Sequence, residues 1–169
     1  MENPRSTAPD GWVRSAMHDV LISEQAERTL IQAAADTYPV ETGGLLLGVR
    51  ARASVWITSA VEIRDGRASS HYHIPEDVTI PAVEEARMSI DRRLGYLGDW
   101  HSHAIDRGPS AQDRAVMRVL SWFLEHQPPG GPLLVLVRRV GAEHVLDGYR
   151  ARFPILIPVR LRRAGPLPK

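Results

Sequence analysis

Apolar positions along the chain alternate between stripes at helical spacing and short continuous runs, and this pattern lays out the elements before any chemistry is considered. Ala26, Leu30, Ile31 and Ala34 recur on one face of a helix expected from Ser23 to Thr37, with a strand just ahead of it near His18 to Ile22. Pro39 to Gly44 breaks the helix, and Leu45-Leu46-Leu47-Gly48-Val49 is the kind of unbroken run that fills a central strand. Ser54 to Ile63 reads as its hairpin partner, and Ser69 to Ile74 as a further short strand ending at Pro75. Val83, Ala86, Met88, Ile90 and Leu94 predict a second helix over Pro81 to Leu94, with acidic residues early and Arg92-Arg93 late, as the helix dipole prefers. It feeds a strand from Tyr96 to His103. A third helix is expected from Ala111 to His126, a turn at Pro128-Pro129-Gly130-Gly131, and strands at Leu133 to Val137 and His144 to Arg150. A last strand, Phe153 to Leu161, contains Pro154 and Pro158 and so belongs on a sheet edge. The organisation expected is a disordered segment at 1–10, one domain over 11–161 and a basic tail at 162–169.

The chemistry concentrates in Gly98-Asp99-Trp100-His101-Ser102-His103 and in the Ser110-Ala111-Gln112-Asp113 that follows. Histidines two residues apart on a strand point to the same face, so both imidazoles can reach one ion. Ser110 reads as the N-cap of the third helix, with Asp113 in its first turn. Two nitrogens and a carboxylate oxygen, with no sulfur, suit a catalytic zinc that keeps its fourth position for water. Asp99 shares the strand face of the two histidines and is placed to orient one of them. His71-Tyr72-His73 repeats the spacing but has no third ligand nearby and reads as ordinary strand; Asp106 and Arg107 read as a solvated loop over the site.

Composition narrows the classes. The 169 residues are 43% hydrophobic and 24% charged, enough for one well-filled core, and the net charge of +1 gives no polyanion-binding signature. No cysteine is present, which removes disulfides, thiolate nucleophiles, sulfur-ligated metals and the Pro-Cys-x-x-Cys pair of the zinc deaminases. No apolar run approaches the roughly 20 residues of a membrane span and residues 1–10 lack the apolar core of a signal peptide, so a cytoplasmic location is the expectation.

Glu41 ahead of Gly43-Gly44-Leu45-Leu46-Leu47-Gly48, then His101-Ser102-His103, then Ser110 and Asp113, resembles the JAMM motif of the JAB1/MPN/Mov34 metalloprotease family. The resemblance runs from about His18 to Arg150, and Gly-Tyr-Leu-Gly-Asp-Trp-His-Ser-His is similar to the bacterial branch found beside ubiquitin-like conjugation and defence operons. It implies an α/β fold, a curved mixed sheet flanked by helices and similar to that of cytidine deaminases. It also implies one zinc per chain with a bound water, and hydrolysis of peptide or isopeptide bonds at the C-terminus of a ubiquitin-like protein. Partners implied are that protein, its conjugates and the cognate activating and conjugating enzymes; neither a membrane nor nucleic acid is expected. His101, His103 and Asp113 would hold the metal, Glu41 would act as general base and Ser110 would donate to the oxyanion. The alternative is an MPN scaffold that binds without cleaving. The chain departs from the family pattern in carrying Ala104 where proline usually follows the second histidine, and six residues, Ala104 to Pro109, where seven are usual. The run Val159 to Gly165 resembles the basic, extended C-terminus of ubiquitin-like proteins, and reads first as an edge strand and frayed tail.

Overall fold

The computed structural model describes residues 19–51, 54–63, 76–123, 130–165 and 167. In chain order its elements are β1 (Asp19–Ser23), α1 (Glu24–Thr37), β2 (Gly43–Arg50), β3 (Ser54–Glu62), α2 (Glu76–Ser89), β4 (Gly95–His103), α3 (Ala111–Phe123), β5 (Leu133–Val140), β6 (Glu143–Arg152), β7 (Ile155–Val159) and β8 (Leu161–Ala164). The strands form one mixed sheet in the order β7-β6-β5-β4-β2-β3-β1-β8. β4 and β5 run parallel, as do β1 and its two neighbours, and the remaining pairs are antiparallel.

The sheet is a curled half-barrel, and the connection between its edges shows why. β7 and β8 lie at opposite edges, yet only Arg160 separates them in sequence, so the edges must approach one another. Where they meet, a Cβ on Gly148 of β6 would lie 2.8 Å from the Leu161 side chain of β8.

Alternation along the strands separates two faces. On one, Ile22, Leu46, Ile57, Trp100, Leu133 and Val135 pack against Ala26, Leu30, Ala33 and Ala34 of α1. Each fully buried leucine or isoleucine there contributes roughly 1.5–3 kcal/mol. Ser23 ties the helix start to the sheet: its Oγ accepts from the Ala26 amide at 3.1 Å and donates to the Thr58 carbonyl at 3.0 Å. The other face has two smaller cores, Leu45 and Leu47 with Ala86 of α2 and the loop residue Leu94, and Leu134, Leu136 and Ala151 with Met117 of α3. Between them runs the strip of β4 that carries Asp99, His101 and His103.

Four expectations are corrected or bounded. The second helix spans Glu76–Ser89 rather than Pro81 to Leu94, with Pro81 inside it; Arg87 occupies the last turn, and Leu94 is buried beyond the helix end. The expected single strand Phe153 to Leu161 is two strands: β7 pairs with β6, whereas β8 leaves it and pairs with β1. Arg162, Arg163 and Ala164 therefore belong to the sheet, not to a tail beginning at 162, because parallel pairing with Leu21, Ile22 and Ser23 uses their backbone groups. The disordered segment at 1–10, the strand at Ser69 to Ile74 and His71-Tyr72-His73 lie outside the described residues.

Candidate metal centre

A bulge in β4 sets the site. Pairing with β2 passes from Leu46 opposite Gly98 to Leu47 opposite Tyr96, skipping Leu97. Gly98 takes a φ of +150°, and a Cβ there would lie 1.9 Å from the Leu133 carbonyl oxygen, so only glycine fits. The extra residue reverses the alternation. Leu97 and Trp100 both face α1, while Tyr96 and Asp99 share the other face, where the Tyr96 hydroxyl donates to Asp99 Oδ1 at 2.8 Å. From Asp99 onward the regular pleat puts His101 and His103 on that same face.

The two imidazoles converge with Nε2 atoms 3.1 Å apart. Asp113, one turn into α3, brings Oδ1 to 3.2 Å from His101 Nε2 and Oδ2 to 3.7 Å from His103 Nε2. All three residues are buried. Donor atoms on one tetrahedral ion with bonds of about 2.0–2.1 Å are separated by about 3.3 Å, so the spacing fits a single metal. The tautomer fits as well. His103 Nδ1 lies 3.0 Å from the Arg107 carbonyl oxygen, which can only accept, so Nδ1 carries the hydrogen and Nε2 of the neutral ring presents its lone pair. The ligand atoms of His101, His103 and Asp113 all lie within 4.8 Å of one another.

Ser110 and Asp113 form a reciprocal cap: the Ser110 amide donates to Asp113 Oδ2 at 2.6 Å, and the Asp113 amide donates to Ser110 Oγ at 3.1 Å. This fixes the carboxylate at the helix start. Glu41 precedes β2 through Thr42, which is clamped to β4: Thr42 N donates to Ser102 Oγ at 2.9 Å, and Ser102 N donates to the Thr42 carbonyl at 2.7 Å. The Glu41 carboxylate is half-exposed, 3.7 Å from the Arg107 guanidinium, and its charge reaches His103.

The electrostatics favour the metal-binding protonation states. Burial pushes His103 below the ordinary histidine range, against the opposing influence of the Arg107 carbonyl, Glu41 and Asp113. For Asp113, burial pushes upward but is outweighed by the His101 ring and by the Ser110 amide and hydroxyl, leaving the carboxyl well below its usual range. Burial raises Asp99 to about 6, offset in part by the Tyr96 hydroxyl and by His101.

The loop over the site is more constrained than its polarity suggests. Asp106 pairs with Arg138, which stands opposite His103 on β5 and also donates to Asp147 at 2.5 Å. These pairings and Tyr96 were invisible in the sequence: Arg138 and Asp147 lie on later strands whose register no local pattern specifies. Gly98 beside Asp99 was the available hint that Tyr96 and Asp99 share a face.

Among solved structures, the fold is similar to protein DSY2949 from Desulfitobacterium hafniense, at 16% identity and a TM-score of 0.67 over 88% of this chain and 94% of that one. It is also similar to AF2198, a JAB1/MPN domain protein from Archaeoglobus fulgidus, at 15% identity and a TM-score of 0.53 over 86% of this chain and 98% of that one. At such identities the likeness establishes the fold alone. No curated protein matches the chain. The family of prokaryotic homologs of the JAB domain matches residues 23–150, a span that holds Glu41 and every donor of the site, and the chain belongs to that family.

Proposed function

We propose that the protein is a zinc-dependent peptidase or isopeptidase that cleaves after the C-terminal tail of a bacterial ubiquitin-like protein, removing conjugates or processing a precursor. The observation that carries this reading is the convergence of buried His101, His103 and Asp113, with His103 Nδ1 held by the Arg107 carbonyl, near an accessible carboxylate, Glu41, whose charge acts on His103. Bound there, zinc would polarise the scissile carbonyl and acidify the attacking water. Glu41 takes the proton of that water and returns it to the departing amine. Ser110 donates its hydroxyl hydrogen to the oxygen on which charge develops, while its Oγ still caps α3.

An extended tail can approach the site only in certain ways. Both edges of β4 are paired, so a tail does not add as a strand beside β4 and reaches the site past its C-terminal end, which the Ala104 to Pro109 loop borders. Small residues flanking the cleaved bond suit that narrow approach. No described helix is long and apolar enough to cross a membrane.

The scaffold reading has one observation in its favour: Arg107 stands against Glu41, on a loop pinned through Asp106 to Arg138. Incubation of zinc-loaded protein with a fusion carrying a ubiquitin-like domain that ends in Gly-Gly separates the two. Cleavage after the second glycine, abolished by chelation and restored by zinc, is the expected result. Metal binding without cleavage of fusions or isopeptide conjugates would leave the scaffold.

A further inference from the structure

At the other end of the sheet Arg150 is buried, and no described carboxylate stands against it. Gly98 of β4 pairs with Leu133 of β5, which pairs with Arg150 of β6. This corner lies five residues along β4 from His103, roughly 16 Å at about 3.3 Å per residue. Arg150 faces the α1 side with Leu133, opposite to the metal donors. Arg50, at the end of β2, shares that side with Val55 and reaches across the sheet end, donating to the Gly131 carbonyl at 3.2 Å and the Leu97 carbonyl at 3.0 Å.

Arg150 is only 3% exposed, and its Nε and Nη2 are buried with no hydrogen-bond partner. Its Nη1 lies under the Gly130–Gly131 turn, where a Cβ on Gly130 would be 2.6 Å away. Among the described residues the charges that act on Arg150 are Arg50 and Arg152, both cations, and after burial they push it further below the ordinary arginine range. A guanidinium does not discard its proton at any ordinary pH, and a buried charge with unmade hydrogen bonds is costly. Water can satisfy its donors but cannot neutralise the charge. A multivalent oxyanion does both, and the planar guanidinium fork matches such oxygens two at a time. Gly130 and Gly131 have φ of +97° and +74°, and Gly130 sets backbone free of a side chain against Nη1 of the guanidinium.

We propose that Arg150, Arg50 and the Gly130–Gly131 turn form a binding site for a small oxyanion of the phosphate class, separate from the metal centre and independent of the hydrolytic reading. The full-length protein should be titrated with inorganic phosphate, with adenosine monophosphate and with chloride at matched ionic strength, following the melting temperature and the heat of binding. Saturable stabilisation by phosphate, absent with chloride, is expected. An equal response to the nucleotide would identify a terminal phosphoryl group as sufficient, and a response to phosphate alone would identify the free ion. Arg150→Met should abolish the response and Arg150→Lys should weaken binding about tenfold or more, since the fork is lost. Arg163→Met, on β8, should leave it unchanged. Equal effects of phosphate and chloride, or a response that survives in Arg150→Met, would overturn the proposal.

Discussion

The metal centre and the arginine corner occupy the two ends of β4 and β5 and opposite faces of the sheet, and they handle buried polarity in opposite ways. At one end, His101, His103 and Asp113 hold each other within hydrogen-bonding distance, and the Arg107 carbonyl and the Ser110 amide fix their orientation. At the other, Arg150 is as deeply buried but, among the described residues, has neither a carboxylate beside it nor partners for Nε and Nη2. The three donors could hold an ion whose charge is positive. The arginine corner is incomplete in a way that only negative charge repairs. Burial alone therefore does not mark a functional group; what identifies each site is the sign and geometry of what its neighbours leave unmet.

The comparison breaks most visibly if the donor cluster is dismantled. His103→Ala should lower bound zinc from about one per chain to background, measured by atomic emission on dialysed protein. Hydrolysis of a ubiquitin-like fusion should fall by about 10³-fold or more, at least the scale of losing a preorganised electrostatic group. Phosphate binding at the far corner should be untouched. If zinc were retained in both His103→Ala and Asp113→Ala, the donor assignment would be wrong.

Glu41→Gln sharpens the same end by separating metal from chemistry. The amide keeps the shape but cannot take a proton, so turnover should fall by about 10² to 10⁴-fold while zinc content and melting temperature stay near the parent values. Turnover at the parent rate would remove Glu41 from the mechanism and leave its pairing with Arg107 as a surface contact.

How much of this was legible in the sequence follows the same division. The donors, the capping serine, the first and third helices and strands β2 to β6 were readable because each rests on local spacing: two residues on a strand, three at a helix start, the apolar run Leu45 to Leu47. The split of the last strand was not, because β8 is defined by its parallel partner β1, which lies more than a hundred residues away in the chain. The start of α2 was not legible because the apolar positions that mark the helix begin at Val83, whereas the helix begins at Glu76 and carries Pro81 inside. Arg150 gave no signal at all. In sequence it is the last position of an ordinary strand, and its burial, with Gly130 against Nη1, comes from tertiary packing.

At the arginine corner, Arg150→Met in phosphate-free buffer should raise the stability of the folded protein. Methionine keeps much of the buried stem and removes the unmet donors, so the gain should be about 1–3 kcal/mol. In a chain of this size that is about 2–4 °C per kcal/mol, read as a shift in melting temperature. The gain should shrink or reverse in saturating phosphate, since only the parent binds it. A loss of stability in phosphate-free buffer would mean that the guanidinium is already satisfied.

The smallest effect, and the one that separates the two ends without dismantling either, is the pH dependence of metal-free protein. His103 is depressed in the folded state, so its contribution is fully present above the unfolded histidine value near 6.5 and is lost as pH falls through the lower folded value. Asp99 acts with the opposite sign. Its folded value of about 6 exceeds the unfolded value near 3.9, so its contribution is present at low pH and is lost as pH rises between those two values. Below pH 6 the two oppose, and the parent curve should be shallow. Asp99→Asn removes one of them and preserves an acceptor for the Tyr96 hydroxyl, so its melting temperature should fall more steeply than the parent's as pH drops from 6.5 to 5. Arginine does not titrate in this interval, so Arg150→Met should be displaced from the parent by a constant amount. Circular dichroism melts of the three proteins, after verified metal removal, test both statements. A displacement for Arg150→Met that changes across this interval would mean that the two ends of the sheet are energetically coupled, and the independence of the phosphate site from the metal centre would fall with it.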